Sequence, residues 1–208
     1  MAEGGQKLSK RLKNYPDPNE ILETIGSDAL RWFLVSSPVL KGGNLAVDKE
    51  GKEIAKASRS ALIPLWNAFY FFTLYANAES YKAKEVYTSN EAIDNYILSK
   101  LKKMADVVKN GIETYDVAVA CNEIASFIEV LNNWYIRRTR DRFWEGESMA
   151  FDVLYTVLVN LCKIAAPLMP FISEYVYKNL TKEESVHLTD YPLLNEIKFD
   201  NELVENMD

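Results

Sequence analysis

The sequence is poor in the residues that build metal centres, disulfide frameworks and catalytic triads. Its 208 residues include two cysteines, Cys121 and Cys162, and one histidine. Structural zinc sites and disulfide-rich secreted domains both need several cysteines or histidines at short, regular spacings. Both cysteines fall on apolar helical stripes, which favours two buried, reduced thiols. The sequence therefore predicts neither a metal site nor a disulfide.

Long apolar runs and an excess of positive charge are also missing. No run approaches the roughly 20 apolar residues of a membrane-spanning helix, and the first residues do not resemble a secretory signal. The formal net charge is -6, so the overall electrostatics do not indicate a nucleic-acid-binding protein. We therefore expect a cytoplasmic protein outside the membrane, and any RNA contact must come from a local basic patch.

Apolar residues recur at spacings of three and four along most of the chain, which predicts an all-α protein built around a helix bundle. Asp17, Ser27 and Asp116 stand where helix-capping residues are expected. Pro64 lies inside the first long helical pattern and should kink or split that helix. The aromatic run after Pro64 could stack on bases, but the spacing of Phe69 and Phe72 favours the core.

The first basic patch follows two glycines near the N-terminus. It contains Lys7, Lys10, Arg11 and Lys13 in a segment without apolar periodicity. A flexible basic loop of this kind suits phosphate groups, and a solvated tail is the alternative.

The second basic patch contains four arginines in six residues. Helical steps along the preceding apolar stripe reach Arg138 and Arg142, so both are predicted on the core face. A buried guanidinium needs a partner, such as Asp141, an acid from another helix, or a phosphate. Arg137 and Arg140 point away from the stripe, where they either contact phosphate or are solvated.

The basic loop carries a family resemblance. Lys7-Leu8-Ser9-Lys10-Arg11 is similar to the Lys-Met-Ser-Lys-Ser signature loop of class I aminoacyl-tRNA synthetases. The continuation from Leu12 to Pro18 resembles the isoleucyl branch, in its eukaryote-like type. Valyl and leucyl relatives usually read Ser-Leu-Gly-Asn or Ser-Lys-Gly-Asn where this sequence has Arg11-Leu12-Lys13-Asn14.

Further stretches resemble the same branch and follow in the family's order. They are Gly26-Ser27-Asp28-Ala29-Leu30-Arg31, the Asn-Trp-Tyr-Ile-Arg string at 133–137, the Ala-Ala-Pro to Pro-Phe-Ile-Ser-Glu segment at 165–174, and Ser185-Val186-His187. The resemblance thus covers nearly the whole chain.

The resemblance implies a division of the chain into four segments. Residues 1–16 are the signature loop, and residues 17–47 are linking helices that touch the inner corner of the L-shaped tRNA. Residues 48–182 are the anticodon-binding helix bundle, and residues 183–208 are an extended segment and the start of a further C-terminal region.

The resemblance also implies a reaction. The family forms isoleucyl-adenylate from isoleucine and ATP, used with Mg²⁺, and transfers isoleucine to tRNA(Ile). The loop's second lysine stabilises charge on the ATP phosphates, a role that falls to Lys10, with Lys7 and Ser9 also binding ATP. Arg11 departs from the usual serine. The expected tRNA contacts are Arg137, Arg138, Arg140 and Arg142.

The 208 residues contain no nucleotide-binding βα unit, no His-Ile-Gly-His motif and no editing domain. We therefore expect a monomeric piece of a larger ligase that binds tRNA, has no cofactor or metal of its own, and is not catalytically complete. The alternatives are a free-standing helical module that binds RNA or protein, or the equivalent piece of a valyl or leucyl enzyme. The string from Lys13 to Pro16 disfavours the valyl and leucyl enzymes.

Overall fold

The computed structural model describes residues 7–9 and 11–208. All the regular secondary structure in these residues is helical. The α-helices are α1 (Pro18–Thr24), α2 (Ser27–Val35), α3 (Lys52–Ser60), α4 (Leu62–Ala78), α5 (Ala92–Glu113), α6 (Val117–Val130), α7 (Arg137–Trp144), α8 (Ser148–Ala165), α9 (Pro170–Thr181) and α10 (Asn201–Met207). A π-helical turn, Leu131–Ile136, joins α6 to α7. The predicted fold class is confirmed.

The structure gives a different outcome for each of the three predicted helix-capping residues. Asp17 caps α1 as predicted, because its carboxylate accepts a hydrogen bond from the Asn19 N–H at 2.8 Å. The prediction for Ser27 is wrong, since α2 already includes Ser27 and is preceded by Gly26. Asp116 occupies the capping position of α6, but its carboxylate pairs with the Lys41 ammonium at 2.6 Å.

Pro64 splits the first long helical pattern, as predicted. The break falls at Ala61, whose φ of -135° and ψ of -52° separate α3 from α4. A proline ring clashes with the carbonyl of the residue four positions earlier, which here is Ser60, the last residue of α3. Phe69 and Phe72 follow in α4 and are both buried, as their spacing predicted.

Helix α8 lies at the centre of the bundle and packs against α4, α5, α7 and α9. Its length and mean hydropathy of 1.4 would also suit a membrane span, but 78% of this segment is buried inside the protein. Burial of apolar side chains on nearly all sides is the pattern of a core helix.

Cys162 of α8 and Cys121 of α6 are buried, unpaired thiols, as predicted.

Three polar side chains on α8 are buried in this core at four-residue intervals. They bind the connection between α4 and α5, which runs along the helix. The Asp152 carboxylate accepts hydrogen bonds from the Tyr81 hydroxyl group and from the backbone N–H of Lys84, each at 3.0 Å. Thr156 accepts one from the backbone N–H of Val86 at 2.8 Å. Asn160 completes the stripe by donating to Glu85, so these buried polar groups have partners.

Two side chains of α2 attach the linking helices to the bundle. The Asp28 carboxylate accepts hydrogen bonds from the backbone N–H groups of Phe171 and Ile172, at 3.3 and 2.8 Å. Asp28 thereby caps α9 from a distant part of the chain. The Arg31 guanidinium donates to the Pro167 carbonyl at 3.2 and 2.6 Å. These contacts fix α2 against the turn between α8 and α9.

Candidate nucleic-acid interface

The described part of the signature loop is closed by one amide side chain. Asn14 Oδ1 accepts a hydrogen bond from the Ser9 N–H at 2.8 Å, and Asn14 Nδ2 donates to the Lys7 carbonyl at 3.1 Å. Lys13 N–H donates to the Ser9 carbonyl at 3.0 Å. Asn14 therefore sets the backbone of the loop. The sequence interpretation did not assign it a role, although asparagine is among the residues whose side chains bond to the backbone in turns.

Lys13 adopts the left-handed backbone conformation, with φ of 47°. A residue with a Cβ pays roughly 1–2 kcal/mol in this region, where glycine pays almost nothing. Valyl and leucyl relatives usually have glycine at this position of the loop. The side-chain bonds of Asn14 stabilise the turn that requires this strained conformation.

The predicted ATP-binding residues are only partly within the described residues. Lys7 is exposed and Ser9 is half-buried, while Lys10 lies outside the described residues. The Ser9 N–H is already bound to Asn14, so what Ser9 can offer a phosphate is its hydroxyl group. The roles of Lys7, Ser9 and Lys10 in binding ATP stay predictions.

The π turn changes which side of the helix faces the core. A π turn contains one residue more than an α turn, so the buried positions after it move along by one. Thr139 and Phe143 are buried in α7, where the regular steps had predicted Arg138 and Arg142. The prediction that Arg138 lies on the core face is therefore wrong, and its side chain is exposed.

Arg142 is held in an internal ion-pair network. Its guanidinium donates to both carboxylate oxygens of Asp94, at 2.7 and 2.9 Å, and to both oxygens of Glu147, at 2.7 and 2.6 Å. Asp94 is fully buried and also accepts hydrogen bonds from the hydroxyl groups of Tyr135 and Ser89, both at 2.8 Å. The partner of Arg142 is thus an acid from another helix rather than Asp141.

This ion-pair network changes the pKa values of two of its residues, Arg142 and Tyr135. Hydrogen bonds to Glu147 and Asp94 raise the pKa of the Arg142 guanidinium. Burial, together with the neighbouring charge of Asp94, raises the pKa of the Tyr135 phenol well above its usual value. Arg142 is therefore a permanently charged structural residue, and its donors are not free for a phosphate in this arrangement.

The other three predicted arginines lie on the surface of α7. Arg137 and Arg140 are exposed and make no ion pair within the described residues. The Arg138 guanidinium lies over the Trp134 ring at 5.0 Å from its centroid, a cation–π contact. Trp144, one turn beyond Arg140, is 77% exposed. We call the surface formed by Arg137, Arg138, Arg140 and Trp144 the arginine face.

The arginine face combines two kinds of group that bind RNA. Unpaired guanidinium groups bind phosphate oxygens, and an exposed indole offers a flat surface for stacking a base. The sequence interpretation had included the arginines but not Trp144. Its position beside them became evident only once the π turn had fixed the orientation of α7.

Residues 94–208 match the family model of the anticodon-binding domain of tRNA ligase. The chain belongs to this anticodon-binding domain family. Within the domain, the match includes α7 and the Asp94–Arg142 ion pair. Residues 1–46, ahead of it, match the model of class I tRNA synthetases for I, L, M and V, which covers the signature loop and the linking helices α1 and α2.

Individual relatives support the isoleucyl resemblance. Over 214 residues, the chain is 47% identical to the isoleucine–tRNA ligase of Leifsonia xyli subsp. xyli, covering 100% of this chain and 19% of the relative. It is 45% identical to the isoleucine–tRNA ligase of Mycobacterium tuberculosis, covering 98% of this chain and 19% of the relative. The chain thus spans about a fifth of the length of these relatives.

A solved structure supports the fold. The chain superimposes on LeuRS of Agrobacterium radiobacter K84, from a ternary complex with tRNA and LeuAMS, with a TM-score of 0.71. The identity is 23%, and the match covers 98% of this chain and 24% of LeuRS. The anticodon-binding domain and the preceding linking helices therefore share the helical architecture of that synthetase.

Proposed function

We propose that this chain is the tRNA-binding portion of an isoleucine–tRNA ligase and that the arginine face contacts the RNA backbone. The observation that carries the proposal is the set of exposed arginines on α7, two of them without an acidic partner in the described residues, beside the exposed Trp144. On a chain with a net charge of -6, these exposed guanidinium groups give phosphate a place to bind. Arg142 is excluded from this surface because its ion pairs occupy it.

In the longer ligase, isoleucine and ATP, as its Mg²⁺ complex, are the proposed substrates, and tRNA(Ile) is the proposed acceptor. Lys10 is the proposed catalytic residue of the signature loop, with Lys7 and Ser9 binding ATP beside it. The 208 residues alone are not proposed to catalyse either step.

The two unpaired, buried thiols favour a reducing compartment, so we propose a cytoplasmic protein. We also propose that it is a monomer.

A free-standing helical RNA- or protein-binding module is the other candidate. The matches at both ends of the chain favour the ligase, because a module that only binds RNA has no need for an ATP-binding loop. The identities of 45–47% to isoleucine–tRNA ligases favour it over the valyl and leucyl enzymes.

The test is the salt dependence of tRNA binding. We expect that changing Arg137, Arg138 and Arg140 together to alanine weakens binding of a tRNA(Ile) transcript by roughly 10- to 100-fold, because charge-assisted phosphate contacts are lost. The slope of log K against log salt should fall by roughly 0.7–0.9 for each phosphate contact removed. Filter binding over a salt series measures both quantities.

A matched control removes three exposed lysines elsewhere. Lys56, Lys109 and Lys178 have exposed side chains on α3, α5 and α9, and changing them to alanine alters the net charge equally. The control should retain the slope of the unmodified chain. Equal losses in the two triple variants would show that only net charge matters and would remove the arginine face from the proposal.

A further inference from the structure

The Asn14 side chain joins the two ends of the turn in the signature loop. Its Oδ1 atom accepts a hydrogen bond from the Ser9 N–H at 2.8 Å, and its Nδ2 atom donates to the Lys7 carbonyl at 3.1 Å. The Ser9 carbonyl accepts a third bond across the turn, from the Lys13 N–H at 3.0 Å. Both backbone groups of Ser9 are therefore bonded within the loop. We call the two bonds of Asn14 the amide clamp.

The amide clamp depends on the chemistry of asparagine. A carboxamide carries an acceptor and donors on one planar group, so Asn14 accepts from one backbone group and donates to the other. Aspartate has the same length, but its ionised carboxylate accepts without donating and would face the Lys7 carbonyl oxygen. Alanine removes both bonds. The clamp therefore requires the amide and not merely a polar residue at position 14.

The amide clamp opposes the strain of a neighbouring residue. Lys13 has a φ of 47°, in the left-handed region that disfavours residues with a Cβ. Glycine adopts this conformation readily. The strain at Lys13 favours opening of the turn, and the two bonds of Asn14 favour its closure. The balance between them sets the fraction of molecules in which the turn is closed.

Apolar side chains on both sides of the turn attach the loop to the linking helices. Leu8 precedes the turn, and Tyr15 and Pro16 follow it. All three line one apolar pocket together with Ile21 of α1 and Phe33 of α2. Loss of the amide clamp should therefore free the turn without releasing the whole segment from the linking helices.

We propose that Asn14 is a positioning residue for ATP, because it closes the strained turn and thereby holds Lys7 and Ser9 in the arrangement that binds the phosphates. This inference rests on the proposed function, in which Lys7 and Ser9 bind ATP. Asn14 acts through the loop backbone, to which both ends of its amide are bonded. Without the clamp, a smaller fraction of the molecules is competent to bind ATP, and the apparent affinity falls by that fraction.

The test is Asn14→Ala in the longer ligase, measured by ATP–pyrophosphate exchange. We expect the KM for ATP to rise by roughly 5- to 100-fold, the combined contribution of two neutral hydrogen bonds. The kcat should stay close to that of the unmodified ligase, because saturating ATP restores the closed turn. The KM for isoleucine should not change. A purely structural role would instead reduce the amount of active enzyme, which lowers kcat and leaves the KM for ATP unchanged.

Glycine at position 13 should rescue the Asn14 variant. Lys13→Gly removes the strain that the clamp opposes, so adding it to Asn14→Ala should recover roughly 3- to 10-fold of the lost affinity for ATP. The matched control adds Lys13→Ala to Asn14→Ala, which removes the same charge but keeps the Cβ, and it should recover nothing. Equal values of the KM for ATP in the two double variants would overturn the link between the clamp and the strained turn, and the proposal with it.

Amide hydrogen exchange in the 208-residue chain tests the clamp without catalysis. The Ser9 N–H should exchange faster in Asn14→Ala, because it loses its acceptor. The Val86 N–H, bonded to Thr156 in the bundle, is the internal control and should exchange at the same rate in both chains. Equal exchange of the Ser9 N–H in the two chains would show that the clamp does not hold the loop, and the proposal would fail.

The same measurements separate this proposal from the proposed function. An Asn14→Ala ligase with an unchanged KM for ATP would overturn the positioning role of Asn14 and leave the proposed function standing. If the unmodified ligase shows no isoleucine-dependent pyrophosphate exchange, the proposed function fails, and the positioning role fails with it.

Discussion

Replacing Asp94 with alanine is expected to lower the free energy of unfolding by about 3–5 kcal/mol, the usual cost of removing one partner from a buried ion pair. Asp94 is fully buried and accepts four hydrogen bonds, two of them from Arg142. Its removal leaves the Tyr135 hydroxyl buried without its acceptor. It also leaves Arg142, which has only 18% of its side chain exposed, with Glu147 as its sole carboxylate partner.

Urea denaturation measures this loss, and α5 supplies its own control. Asp106 lies on the same helix and pairs with Lys102 at 2.9 Å, but 62% of its side chain is exposed. An exposed pair of this kind contributes about 0–1 kcal/mol, so Asp106→Ala should unfold close to the unmodified chain. Similar midpoints for the two variants would contradict the structural role assigned to Asp94 and Arg142. Asp94→Asn should fall between them, because it keeps an acceptor for Tyr135 but loses the charge.

Replacing Lys10 with alanine in the longer ligase is expected to slow adenylate formation by roughly 100- to 1000-fold, by analogy with the loss of one transition-state donor. The ammonium group of this lysine is proposed to stabilise charge that develops on the ATP phosphates. Such a contact strengthens as the reaction proceeds, so kcat should fall more than the KM for ATP rises. ATP–pyrophosphate exchange measures the step without involving tRNA.

Lys56→Ala is the matched control for this experiment, because Lys56 is an exposed lysine on α3 outside the signature loop. It should exchange pyrophosphate at the unmodified rate. A Lys10→Ala enzyme with an unchanged exchange rate would refute the catalytic role. A Lys10→Ala enzyme with a raised KM for ATP and a normal kcat would show that Lys10 binds ATP equally well in the ground state and in the transition state. Lys10 would then be an ATP-binding residue without a catalytic role.

The helical elements could be predicted from the sequence because their determinants are local. The stripes of α5 and α8 repeat every three to four residues, and Pro64 acts on a carbonyl four positions away. Asp17 caps its own helix through a neighbour two residues along. These are relations between residues close in sequence, which periodicity and propensity describe directly.

The orientation of the arginine face could not be predicted in this way. The π turn at Leu131–Ile136 has no strong sequence signature, and one added residue moved Arg138 from the predicted core face to the surface. The partners of Arg142 and Asp28 also depend on tertiary packing, because Asp94 and Ile172 lie 48 and 144 residues away from them. Pattern reasoning could require a partner for a buried arginine but could not choose Asp94 over Asp141.

The proposal that the arginine face of α7 contacts tRNA is tested most directly by site-specific cross-linking. A photoreactive phenylalanine derivative replaces Trp144 on the arginine face, and, as a control, Leu188, which is 72% exposed beside Glu183 and Glu184. Carboxylates repel the RNA backbone, so we expect no cross-link from position 188. Position 144 should give cross-links that map to the anticodon arm of tRNA(Ile). Cross-links from position 144 that map to the acceptor end of the tRNA would contradict the proposed contact. So would a cross-linking yield at position 144 that does not exceed the yield at position 188.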